Sequence, residues 1–171
     1  MERGRRSGER ERGVVFVFVA AAMVSLLAIT ALAVDIGQGA SRTRDLQQVA
    51  DLVALDVARH LDGRGRNDAG LLADVAAQVV SSSARNGFPV TGSGTTYTAG
   101  NRRLTLTLGC SVGTPATFDP NCLVPDAARA KVEDTVDYQF ADVIGFADAA
   151  FDRTAVATRQ AKVNLEVGSV A

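Results

Sequence analysis

The chain has 171 residues, with 18 lysine and arginine against 19 aspartate and glutamate, and a formal net charge of −1. A balance this even excludes a broad cationic field for nucleic acid, and two tyrosines, seven phenylalanines and no tryptophan leave little for a base-stacking platform. The length suffices for one domain beyond a membrane anchor.

Residues 1–13, MERGRRSGERERG, are a short basic tail with five arginines and three glutamates. Val14–Val34 follows, 21 residues without a charge. Roughly 20 apolar residues rising about 1.5 Å each cross a hydrocarbon core about 30 Å thick, so this run predicts a transmembrane helix. A buried core helix seldom goes so far without a charge. Ser25 and Thr30 fit the span, because each hydroxyl can bond a carbonyl one turn back. Ala21 and Ser25 form a small-xxx-small pair through which two helices can approach, and Asp35 stands where lipid gives way to water, as the end of the span or as a contact for a partner helix. Arg42 and Arg44 follow the run. Five arginines before it and two after predict a cytoplasmic N-terminus and an exported C-terminal part.

Three fates of the span stay open. It is retained as an anchor, or cut after Ala33 at the A-x-A sequence Ala31-Leu32-Ala33, or processed at Gly13. Its length favours retention, since the apolar part of a signal peptide runs about 7–15 residues.

From Leu46 to Leu61, apolar residues recur every three or four positions: Leu46, Val49, Val53, Val57 and Leu61, with Ala50, Ala54 and Ala58 beside them. This predicts an amphipathic helix over 35–62 continuing the span, with Leu52 and Leu55 widening its stripe. Gly37 and Gly39 mark a position for a break. Unbroken, residues 14–61 would form a rod about 72 Å long. Gly63 is its stop.

A second helix fits Asp68 to Arg85, capped by Asn67 or Asp68, with Leu71, Leu72, Val75, Ala76, Val79 and Val80 on its apolar face and Gly87 and Pro89 beyond its end. Residues 87–101 predict a loop with one short strand at 95–98. The period then changes to two: Leu104, Leu106 and Leu108 alternate with Arg103, Thr105 and Thr107, a half-buried strand. Residues 99–102 suit a hairpin turn. A loop runs from Cys110 to Cys122. Residues 129–140 alternate again, with Ala130, Val132, Val136, Tyr138 and Phe140 on one face and Asp134 breaking the set. Residues 141–146 make a short connection, 151–159 a third strand, and 164–171 an edge strand or a frayed end. The sum is an α+β fold: a long N-terminal helix, one further helix, and a small antiparallel sheet covered by the 46–61 stripe. The domains are a tail at 1–13, a span at 14–34, an amphipathic continuation at 35–62, and an exported part at 63–171.

Residues with chemical potential are few. Cys110 and Cys122 are candidates for a disulfide if the C-terminal part is exported, with two buried thiols the alternative. His60, the single histidine, would have to serve any Ser-His-Asp or Cys-His site, yet it falls at a helix exit, where a surface histidine is the simpler reading. Asp51, Asp56 and Asp62 read as a solvated helix face. Asp119-Pro120-Asn121 is too short for a calcium loop, and neither Gly37-Gln38-Gly39 nor Gly92-Ser93-Gly94 has the context of a phosphate loop. Arg64 and Arg66 read as a solvated loop. These residues predict no enzyme, no cofactor, no metal site and no small-molecule substrate.

Arg12-Gly13 before the span, Ala31-Leu32-Ala33-Val34-Asp35-Ile36-Gly37 at its end, and Leu46-Gln47-Gln48-Val49-Ala50-Asp51 with Ala54-Leu55 after it resemble the TadE/TadG-like family of Flp (tight-adherence) pilus-assembly proteins. The resemblance covers about residues 12–60. A looser likeness lies in Ala155-Val156-Ala157 and Val167-Gly168-Ser169. The plan of a helix half in lipid and half on a small sheet is pilin-like. Prepilins carry a glutamate five residues past the cleavage glycine. Phe18 stands there instead, as in TadG-like members that lack the glutamate. The resemblance therefore implies an anchored accessory component of the pilus apparatus, in the bacterial inner membrane, with the lipid bilayer and other pilus-assembly or pilin-like subunits as partners. The alternative is a secreted or anchored envelope module that binds a ligand and has no part in pili.

Overall fold

The computed structural model describes residues 5–113, 116–145 and 148–159. They form two helices and a small sheet: α1 (Arg5–His60), α2 (Ala69–Arg85), β1 (Thr91–Ser93), β2 (Thr96–Ala99), β3 (Arg102–Val112), β4 (Thr117–Asp119), β5 (Ala127–Asp137) and β6 (Asp148–Thr158), with a 3-10 turn at Ala141–Ile144. The fold is α+β, as the patterning predicts. The chain divides into two compact units, Met1–Ser41 with Val136–Ala149, and Arg42–Thr135 with Ala150–Ala171.

Helix α1 runs through Gly37 and Gly39 without a break. A glycine costs about 1 kcal/mol in a helix interior, too little to interrupt a helix already propagating from both sides. For the same reason the helix starts inside the basic tail, whose arginines and glutamates are good helix formers, and not at Val14. In the first unit, the large apolar side chains from Val14 to Val34 are all exposed. One helix among the described residues is long and apolar enough to cross a membrane, and it is this one.

The second unit holds the hydrophobic core. Leu46, Val49, Ala50, Val53, Ala54, Val57 and Ala58 of α1 are buried, together with Leu61 just past its end. They join Leu71, Val75 and Val79 of α2 and one face of the sheet. Two predicted core positions fall outside. Leu55 and Leu72 are exposed, because at 100° per residue each projects away from the stripe that its neighbours Val53 and Leu71 define. Helix α2 begins at Asp68, whose side chain accepts from the Leu71 N–H, and it closes on Asn86.

The sheet order is β1-β2-β3-β5-β6, with β4 added against the far end of β3. Strand β1 pairs antiparallel with β2, β2 with β3, and β3 with both β5 and β4. Register places Leu104 opposite Val132, Leu106 opposite Ala130 and Leu108 opposite Ala128. These six side chains line the buried face with Tyr97, Ala155 and Ala157. Thr105 opposes Lys131 and Arg103 opposes Glu133 on the other face.

The region predicted as loop with one strand at 95–98 holds two strands, β1 and β2, hydrogen-bonded to each other. The Cys110–Cys122 loop contains β4. Gly109 permits that pairing: a Cβ there would sit 2.4 Å from the Asp119 carbonyl oxygen and 2.6 Å from the Phe118 ring. The face predicted to run to Phe140 ends sooner. Strand β5 stops at Asp137, and Phe140 is exposed. The segment 164–171, and with it Val167-Gly168-Ser169, lies outside the described residues.

Candidate functional site

Among the described residues no cleft gathers reactive groups. The site-like features are two buried aspartates, one in each unit. Asp35, the first charged residue after the apolar run, is 2% exposed. Its carboxylate accepts three backbone N–H groups from the segment that follows β5: Gln139 at 3.3 Å, Phe140 at 3.1 Å and Ala141 at 2.7 Å. Those groups lead into the 3-10 turn Ala141–Ile144, whose own N-cap residue, Phe140, makes no side-chain cap bond. A carboxylate 106 residues away in sequence therefore supplies the cap. Several N–H donors satisfy a buried anion as a pair of cations would, without a second charge.

Asp134, 5% exposed, lies in the second unit on the inward face of β5. The two-residue pleat that buries Ala130 and Val132 carries it inward as well. Arg42 of α1 donates to its Oδ2 through Nη2, and Arg102 Nε of β3 lies 3.7 Å from the same oxygen. Arg102 also stacks over Phe88, 5.2 Å from the ring centre. The Arg42 Nε is buried without a hydrogen-bond partner among the described residues. Further along α1, Asp56 accepts Ser82 Oγ at 2.6 Å and Arg85 Nη2 at 3.0 Å, which fastens α1 to α2. Thus one helix presents an aspartate latch, an arginine for a buried ion pair, an apolar stripe and a polar clamp, in that order.

Residues 13–60 match the family model described as "Putative Flp pilus-assembly TadE/G-like". The match supports involvement in Flp pilus assembly. It begins one residue before the apolar run and ends with α1 itself. No curated protein and no solved structure matches the chain.

Within the matched segment, Gly13, Ala21, Ser25 and Ala33 are exposed residues of α1. The Ser25 hydroxyl donates to the Ala21 carbonyl at 2.9 Å and Thr30 to Leu26 at 2.8 Å, so both polar side chains are satisfied within the helix. Asp35 is turned to its own chain. Asp51 bonds Gln47 on the exposed side of α1. His60 closes the segment and donates from Nδ1 to the Asp56 carbonyl, 2.7 Å away.

Outside the segment, Cys110 and Cys122 are joined in a disulfide, with Cα atoms 6.0 Å apart. Arg66 reaches that loop, donating its backbone N–H to the Leu123 carbonyl at 2.9 Å and its guanidinium to the Pro120 carbonyl at 2.5 Å. Arg64 binds Asp62 and Asp74. The Arg64 side chain and backbone hold Asp62 below the usual carboxylate range, and Asp62 and Asp74 in turn push Arg64 up. On the outer face of the sheet a recess is lined by Asn101, Arg103, Lys131, Glu133 and Asp152. Glu133 at 2.7 Å, helped by Asp152 at 3.6 Å, raises the Lys131 ammonium, so that lysine stays a cation and not a neutral nucleophile. No group of metal-ligating side chains occurs among the described residues.

Sequence reading alone missed the pairing of Asp134. The signal was present: one acid interrupts an otherwise apolar alternation, and a buried acid needs a donor. Which arginine supplies it was not legible. Arg42 reads as a flanking charge of the span until the fold brings it to β5.

Proposed function

We propose that the chain is a membrane-anchored accessory component of a Flp pilus apparatus, TadG-like in plan. Residues 1–13 are its cytoplasmic tail, 14–34 its span, 35–62 the helical continuation, and 63–171 its exported part. It acts by contact, holding a folded module at the inner membrane where other pilus-assembly or pilin-like subunits meet it. The observation that carries this reading is the single helix α1. Its apolar run is exposed and uncharged, it lies within the TadE/G-like match, and it passes without interruption into a stripe that covers a sheet. The run resists water by a margin on the order of tens of kcal/mol, since each large apolar side chain contributes about 1.5–3 kcal/mol on leaving it.

Three further observations support retention of the span over cleavage. Gly13 and Ala33 are both inside the continuous helix, Phe18 stands where a prepilin carries glutamate, and Asp35 is tied into the folded chain. Intact-mass measurement of the protein extracted from membranes tests this. The full chain is expected. A species starting at Val34 would sink the anchor reading, and one starting at Val14 would establish a processed pilin. Protease added to spheroplasts should digest residues beyond 62 and spare the tail, and digestion of the tail with residues beyond 62 spared would refute the orientation.

A further inference from the structure

We propose that the segment Tyr138–Ala141 is a second lipid-contacting element, seated at the membrane interface beside the exit of the span. This rests on Val14–Val34 being a span. Asp35 is then the residue at which hydrocarbon gives way to headgroups, because a carboxylate cannot go deeper without a large cost. Three N–H bonds of 2.7–3.3 Å tie the backbone of Gln139, Phe140 and Ala141 to that carboxylate. Whatever depth Asp35 takes, the backbone of Phe140 takes it to within a few ångströms.

The same bonds let an acid stand so close to lipid. Asp35 is buried and fully hydrogen-bonded, so the boundary carries no naked anion. The side chains at this level suit an interface. Phe140 is 46% exposed although it is aromatic, and Val34 and Ile36 are exposed on the adjoining turn of α1. Tyrosine concentrates at the headgroup level, where an apolar body meets a polar boundary, and half-buried Tyr138 stands two residues before Phe140. The charges set the limit of insertion. Residues 136–149 contain Asp137, Asp142 and Asp148 and no lysine or arginine. The contact is therefore apolar and shallow, with the aspartates left in water, and it owes nothing to anionic lipid.

The chain has no tryptophan, so Phe140→Trp gives a sole tryptophan in the full-length protein, and Met23→Trp gives a matching one near the middle of the span. Both are reconstituted in phosphatidylcholine vesicles, with and without phosphatidylglycerol, carrying a quencher near the headgroups or at the bilayer centre. The expected result is blue-shifted emission from Phe140→Trp, quenched more by the shallow label than by the deep one and unchanged by phosphatidylglycerol. Met23→Trp should show the opposite depth order. Adding Asp35→Ala should reduce the quenching of Phe140→Trp.

Water-like, unquenched emission from Phe140→Trp beside a deeply quenched Met23→Trp would overturn the interface contact and leave the span intact. If neither is quenched, the span and this contact fall together. Quenching that requires phosphatidylglycerol would replace the apolar contact by an electrostatic one, and quenching indifferent to Asp35→Ala would remove the latch as its cause.

Discussion

Between Val14 and Val34, every large apolar side chain of α1 is exposed, whereas between Leu46 and Ala58 the apolar stripe is buried to within a few per cent. Both stretches are helical, both are rich in alanine, valine and leucine, and nothing breaks the backbone between them. What separates them is spacing. A stripe recurring every three or four residues presents one face, which a small sheet can cover. Apolar residues on every side leave no polar face to turn to water, so only an apolar surrounding satisfies them. Burial in the second half is a property of the protein, whereas the first half can be buried only by an apolar solvent or a partner. The exposed run resists water by tens of kcal/mol, beyond the roughly 5–15 kcal/mol net stability of an ordinary domain.

The widest break in this comparison comes from one charge placed in each half. Val53→Asp puts a carboxylate at a fully buried position. It should cost several kcal/mol and abolish the cooperative melt of the second unit while the protein stays in the membrane fraction. Leu27→Arg should do the reverse. It weakens insertion by roughly 2.5–3.5 kcal/mol on the biological scale and leaves the melt of detergent-solubilised protein unchanged. If both substitutions act alike in both assays, the halves are not independent.

Next is Asp134→Ala, which strands Arg42. Breaking a buried pair costs about 3–5 kcal/mol, and the lower end applies because the Arg42 side chain is a quarter exposed. Arg42→Met with Asp134→Leu should recover most of the lost melting temperature. A double variant as unstable as the single one would show that the charge itself, and not its pairing, is needed.

Reduction of the disulfide should cost about 3 kcal/mol by loop entropy, given a separation of 12 residues. It should lower the melt of the second unit without releasing the chain from the membrane. Equal alkylation of Cys110 and Cys122 before and after reductant would contradict the bond.

The smallest effect is alkaline. Burial pushes the Tyr97 phenol above its ordinary value. Below pH about 10 the folded and unfolded chains both keep it neutral and this contribution is complete. As pH rises further the unfolded chain loses the proton first, so stability falls. Tyr97→Phe should flatten that slope in a pH series of thermal melts, and insertion of the span should not respond to it.

Much of the fold is legible in the residues. The period of 3.6 located the stripe from Leu46 to Leu61, and the period of two located β3, because in each case the pattern is the buried face itself. The shorter strands were not legible. Strands β1 and β4 are three residues each, and they exist because neighbouring strands offer them hydrogen bonds, which leaves almost no local signature. Leu55 and Leu72 were misread because hydrophobicity was counted without its angle. Of the site, the identity of Asp35 stood out at the end of the run, but its partners are backbone N–H groups, and no side-chain pattern announces a backbone donor.

By itself the sequence determined which part of α1 is long and apolar enough to cross a membrane, which of its faces the sheet must cover, and the likeness to a pilus-assembly family over residues 13–60. These depend on composition and period along one chain segment. Only the tertiary structure decided that Asp35 caps a turn 106 residues on, that Arg42 answers Asp134 across 92 residues, and that Cys110 and Cys122 meet. Each joins groups far apart in the chain, and a contact of that kind depends on the packed backbone, which local periodicity does not encode.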